Sequence, residues 1–216
     1  MLVIAMETAP DGHVRWAGRR HDDDRPDASS GASPAELFDA VFHALHDGEQ
    51  VALGLDCALT MPVAQAQAQA QDQDQDRDQD PDQAQAQDPA TALAEEAASR
   101  PGLAELGYLL GELGNWRPWT TVSTSLARWK ANTSILVWQA VPAPGENAVT
   151  ASAAADSFFR QLPAANSRGT EPAQEAGGTV VNLAAATARR AGLFVDPSEL
   201  AQPTVSITVT SDRPRI

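Results

Sequence analysis

Glu7 and Asp56 each close a short apolar run, Leu2-Val3-Ile4-Ala5-Met6 and Val51-Ala52-Leu53-Gly54-Leu55. Short, nearly all-apolar runs bounded by turn residues read as buried parallel strands. If the two strands are neighbours, both carboxylates leave the same edge of the sheet. Open α/β sheets place their chemistry at that edge, outside the carboxyl ends of the strands. Two carboxylates a few ångströms apart repel unless a cation or a proton joins them. The pair therefore marks a candidate divalent-metal site.

Other residues with chemical capacity have plainer explanations. Trp116, Trp119, Trp129 and Trp138 lie within 23 residues, with Arg117, Arg128 and Lys130 between them. Rings and cations together can stack bases and clamp a nucleic-acid strand. Trp138 sits in an apolar run and is expected in the core, while the others either cover a sheet edge or meet a ligand. His43 and His46 have a helical spacing that suits a metal. Their position near a helix C-terminus, where imidazolium is favoured, accounts for them without one. His21 with Asp22, Asp23 and Asp24 reads as a solvated acidic loop. Cys57 has no local nucleophile signature and reads as a small buried thiol. The chain has no Gly-x-Ser-x-Gly elbow, Walker loop or Gly-x-Gly-x-x-Gly fingerprint, which disfavours hydrolase triads and nucleotide-cofactor enzymes.

Composition narrows the partners. The chain has 216 residues and a net charge of −14. Such an excess of negative charge opposes non-specific binding to phosphate backbones, and leaves nucleic acid only a local site. Arg19-Arg20 and Arg189-Arg190 are isolated pairs and form no basic stripe. A single cysteine fits a reducing cytosol. The N-terminus lacks the basic region of a signal peptide, and no run reaches the ~20 apolar residues of a membrane span. A cytoplasmic protein that does not enter the membrane is expected.

The elements that must position Glu7 and Asp56 follow from pattern. After the first strand, Asp11-Gly12 signals a hairpin, and a second strand spans about His13–Gly18, with Val14 and Trp16 on one face. Residues 21–31 form a polar loop, so no third strand is evident in the opening meander. Ser33, Pro34 and Glu36 resemble a helix start with its cap, first-turn proline and capping-box acid. That helix buries Leu37, Phe38, Val41, Phe42 and Leu45, and ends at Gly48 after His46. Residues 64–88 are low complexity, Ala-Gln and Asp-Gln repeats with seven Asp and one Arg. They cannot bury enough surface to offset their ordering entropy and read as a disordered insertion in one domain spanning 1–216. A helix starting at Asp88-Pro89 is interrupted by Pro101, then carries Leu103, Leu106, Leu110 and Leu113 to a stop at Gly114-Asn115. A buried strand covers Ser134–Val141. Ser152 caps a short helix with Phe158, Phe159 and Leu162, closed by Pro163. A Gly-rich loop spans 167–178, a final helix runs Val181–Ala191, and Thr204–Thr210 alternates like an edge strand.

A hairpin, a helix and then a strand, with acids at the strand ends, resembles the opening of a ribonuclease H-like fold. In detail, Val3–Glu7 with Asp11-Gly12, and Ala52-Leu53-Gly54-Leu55-Asp56-Cys57-Ala58-Leu59-Thr60-Met61-Pro62, resemble the DUF429 family of predicted ribonuclease H-like proteins. The segments Ile135–Pro144 and Asn182–Gly192 fall where that family has its later strand and final helix. The resemblance implies an α/β fold with a ribonuclease H-like core, its central mixed sheet flanked by helices. It implies Mg²⁺ or Mn²⁺ held by three or four carboxylates, with water attacking phosphorus in line. Carried over, Glu7 and Asp56 become catalytic metal ligands. Gln139 and Asn182 stand where further acids are expected, and amides hold hard cations less strongly. Asp156 on the preceding helix completes the set, and Arg128 or Lys130 meets phosphate.

Two functions follow. One is a divalent-metal-dependent nuclease or phosphoryl-transfer enzyme. The other is a catalytically inactive binding or scaffold protein that kept the fold. Three carboxylates within about 5 Å of a common point favour the first, by the spacing of two-metal sites.

Overall fold

A run such as Leu2–Thr8 (β1), apolar on both of its alternating faces, is stable only when both faces are covered. In the computed structural model it lies in the interior of the sheet. The structure describes residues 1–8, 13–20, 29–62, 101–146, 149–167 and 180–209. β1 pairs antiparallel with β2 (Val14–Arg20), with Met6 opposite Trp16, and parallel with β4 (Val51–Leu55), with Met6 opposite Leu55. β4 in turn pairs parallel with β7 (Ile135–Pro142). A short β3 (Ser29–Gly31) flanks β2. The outer side of β7 is shared by two short parallel strands. β6 (Val122–Ser123) takes its start and β9 (Ser206–Val209) its end. The molecule is thus α/β, with a mixed seven-stranded sheet ordered β3-β2-β1-β4-β7-β6 and β9 beside β7.

The period of two divides the core. Leu2, Ile4 and Met6 with Val51, Leu53 and Leu55 face α1 (Pro34–His46), α2 (Pro101–Trp116) and α5 (Leu183–Arg190). Val3, Ala5 and Ala52 face the other way, toward α3 (Leu126–Asn132) and α4 (Ala151–Ser167). On that second face β1 and β4 carry small residues, and Trp138 of β7, Trp129 of α3 and Phe158 of α4 fill the space. A Cβ on Gly54 would overlap the Trp138 indole, so this glycine serves close packing. Trp138 meets Phe158 at 4.9 Å between ring centroids, and Trp129 meets Phe158 edge-on at 6.2 Å.

Several elements differ from expectation, each for a local reason. α1 starts at Pro34 and gives way to Gly48 at φ +78°, as the pattern predicts. Its Ser33 side chain makes no cap hydrogen bond, and the Ser33 carbonyl instead accepts from Leu37 N at 3.2 Å. Phe38 and Phe42 are half-buried. β3 is a third meander strand with no apolar residue; it exists because Trp16, Ala17 and Gly18 supply a ladder. α2 passes through Gly114 and Asn115 to Trp116. Gly114 admits the Ala191 carbonyl, which a Cβ would approach to 2.8 Å. α4 continues beyond Pro163 to Ser167, with Ser152 inside it. The hydroxyl of Thr150 takes the capping role, accepting from Ala153 N at 3.3 Å. Asn182 does not lie within a helix. It ends β8 (Val180–Asn182), which pairs with β5 (Thr60–Pro62), and caps α5.

The Asp11-Gly12 turn, the 21–28 part of the polar loop with its His and three Asp, the 64–88 insertion, the helix start at Asp88-Pro89 and residues 168–178 of the Gly-rich loop lie outside the described residues. Among the described residues, no helix is long and apolar enough to cross a membrane.

Gly54→Ala is expected to destabilise the fold by about 1–3 kcal/mol through overpacking against Trp138. The check is the urea midpoint, and a midpoint equal to wild type would show that the second core face has slack.

Candidate functional site

Because Met6 stands opposite Leu55, Glu7 and Asp56 leave the sheet together at one edge. Glu7 Oε2 accepts from Ala151 N at 2.5 Å, placing its charge at the N-terminus of α4. A carboxylate there satisfies an orphan donor and complements the helix dipole. Asp56 reaches sideways to β1. Its Oδ2 accepts from Thr8 N at 2.8 Å, with the Thr8 hydroxyl 3.5 Å from Oδ1. Each acid thus ties a strand end to a neighbouring element.

Asp156 is placed elsewhere. Its Oδ1 accepts from Arg19 Nε at 3.0 Å, and the same guanidinium donates to Ser152 Oγ at 2.8 Å. Arg19 stands opposite Val3, four residues down β1 from Glu7. At ~3.3 Å per residue the Arg19 level lies about 13 Å from the strand-end pair. Among the described residues, no three His, Cys, Asp or Glu side chains converge to hold a metal ion. The described carboxylates therefore do not fit a centre of three or four acids.

The two amides are used as amides. Asn182 is completely buried. Its Oδ1 accepts from Ala185 N and Thr204 Oγ1, each at 3.0 Å. Its Nδ2 donates to Thr124 Oγ1 at 2.8 Å and to the Gln202 carbonyl at 2.9 Å. A carboxylate could make only the first two bonds and would meet the carbonyl with like polarity. Gln139 Oε1 accepts from Leu59 N at 3.2 Å, steadying the chain just after Asp56.

Arg128 and Lys130, expected at phosphate, lie on α3, which packs against β6 and β7. Three strand spacings of ~4.8 Å separate β6 from β1, about 14 Å. Arg128 is engaged by an ion pair with Asp196, a bond to Ser198 Oγ at 2.8 Å and Glu199 Oε1 at 3.6 Å. Lys130 is exposed, and partial desolvation lowers its pKa. Trp129 and Trp138 are core residues, whereas Trp116 and Trp119 are exposed, with Arg117 over the Trp119 ring at 6.0 Å. His43 and His46 are exposed and flank Phe42, with His46 stacked on it. Cys57 is half-buried.

Sequence reasoning missed Glu199. It is buried, accepting from Ser123 Oγ at 2.6 Å, Thr124 N at 2.5 Å and Thr124 Oγ1 at 3.0 Å. Through Thr124 it joins the Asn182 network, so β6, β8 and the 3₁₀ turn Pro197–Ala201 share one polar centre. The available signal was Asp196-Pro197-Ser198-Glu199, a cap followed by a first-turn proline and an acid. Asp196 does cap this turn, accepting from Ser198 N at 2.9 Å. The Ser198 hydroxyl, then its backbone N–H, then Arg128 lower the Asp196 pKa from 3.8 to about 2.

Two outcomes follow. Asn182→Asp is expected to destabilise by about 2 kcal/mol or more, since the buried Thr124 hydroxyl and the Gln202 carbonyl lose their donor; chemical denaturation reads this. Asp196 has a lower pKa folded than unfolded, so its contribution is present above about pH 4 and fades as pH falls from 3.8 toward about 2. Thermal melts across that window should show a smaller acid slope for Asp196→Asn than for wild type. Compared with protein-family models, with curated proteins and with solved structures, the chain matches none of them.

Proposed function

We propose that this chain is a ribonuclease H-like protein that acts by binding, as a scaffold, rather than by metal-assisted phosphoryl transfer. The fold reading is supported by the antiparallel β1-β2-β3 meander followed by α1 and the parallel strand β4. The binding reading rests on one observation above all: Glu7 is bonded to the α4 N-terminus and Asp56 to Thr8 N. The remaining candidates agree with it. Asp156 pairs with Arg19, Arg128 lies on α3 against β6 and β7 rather than at the strand-end pair, and the amide of Asn182 is saturated.

One observation favours the nuclease reading, namely that Glu7 and Asp56 leave adjacent parallel strands in register. In that reading they hold Mg²⁺ or Mn²⁺, and nucleic acid approaches the sheet edge. Calorimetric titration of Mn²⁺ into wild type and Asp56→Asn separates the two. Equal heats, with no nuclease activity on single-stranded RNA or DNA, are expected for a scaffold. A saturable heat present in wild type and lost in Asp56→Asn would overturn the scaffold reading and establish a strand-end metal.

A further inference from the structure

A cavity of about 260 Å³ lies away from the strand-end edge, between the start of β6, α3 and the segment leading into the 3₁₀ turn. Its lining sets opposite charges beside an apolar wall. Arg128 and Asp196 form an ion pair whose side chains are 40% and 42% exposed. Ala131 and Phe194 supply the open apolar surface, Phe194 with 64% of its surface exposed, while Val122 is buried and Thr121, Thr133 and Glu199 complete the lining. The exposure of Phe194 matches that of Trp116 and Trp119, and what sets Phe194 apart is its place at the rim of this cavity beside the ion pair. The cavity has room for about nine waters at ~30 Å³ each, the size of a small organic molecule.

We propose that this cavity binds a small zwitterion, an α-amino acid with an apolar side chain. The ligand carboxylate would take Arg128, its ammonium would take Asp196, and its side chain would cover Ala131 and Phe194. An exposed ion pair contributes little to stability, so exchanging it for two ligand pairs costs little. The exchange leaves the turn intact, because Asp196 keeps both bonds from Ser198. Glu199 stays behind Arg128 in its Ser123 and Thr124 bonds. The inference is independent of the strand-end acids and stands whichever way the metal titration falls.

The test is calorimetry on the full chain with L-leucine as probe, beside 3-methylbutylamine, which lacks the carboxylate, and 4-methylpentanoate, which lacks the ammonium. L-Leucine is expected to saturate with Kd on the order of 1 mM, and each half-ligand to bind at least about tenfold more weakly. Asp196→Asn and Phe194→Ala should each weaken L-leucine about tenfold. Phe194→Ala is the control for folding, since that exposed ring lies outside the polar network. No saturation by ~20 mM L-leucine, or unchanged affinity in both variants, would overturn the proposal. Equal affinity for L-leucine and the amine would overturn the zwitterion and leave a site for cations.

Discussion

Burial of β1 and β4 on both faces is the constraint from which the rest follows. Neither strand can meet water, so helices must cover each side of the sheet. One side takes the leucines of α1 and α2 against large aliphatic strand residues. The other has Val3, Ala5, Ala52 and Gly54, and that shortage of volume is filled by Trp138, Trp129 and Phe158. Close packing requires small residues on one element to be matched by large ones on its neighbours, here β7 as well as α3 and α4. The parallel register also brings Glu7 and Asp56 to one edge, so the same constraint makes the candidate site.

The second organising feature is polar. β5 and β8 form a separate two-stranded sheet, and a buried network ties it and α5 to β6 and the 3₁₀ turn. Glu199 joins β6 to the 3₁₀ turn, Thr124 passes the connection to Asn182, and Thr204 N donates to Thr60 Oγ1 at 3.0 Å. A buried network is stable only when each member has its partners. That is why the amide at position 182 and the carboxylate at position 199 are not interchangeable, although both are short polar side chains with an acceptor oxygen.

The strand-end acids show how one residue type serves two chemistries. A carboxylate at an edge of parallel strands can hold a cation, or it can accept from backbone N–H groups that would otherwise lack partners. Glu7 and Asp56 each accept from such an N–H. Asp156 and Arg128 also meet protein partners. The Arg128–Asp196 pair beside Phe194 instead lines a cavity, on the far side of β4 and β7.

The local pattern was legible wherever physics is local. Alternating or continuous apolar runs identified β1, β4, β7 and β9, and the turn chemistry at Pro34 and Gly48 bounded α1. The shared edge of Glu7 and Asp56 depended on β1 and β4 being neighbours, which the sheet order supplies. What those acids do was decided by tertiary structure. Glu7 meets a backbone N–H 144 residues away, and Ser123 meets Glu199 76 residues away. β3 and β8 exist only because partners supply their ladders, and Gly114 is a packing glycine only because the Ala191 carbonyl arrives there. The sequence by itself determined the α/β class, the buried strands and the acid closing each of two strands, since hydrophobic periodicity and turn preference act over a few residues. Tertiary structure alone decided which polar groups are buried and which partners they meet, since a side chain's hydrogen bonds depend on chain segments that its own neighbourhood does not specify.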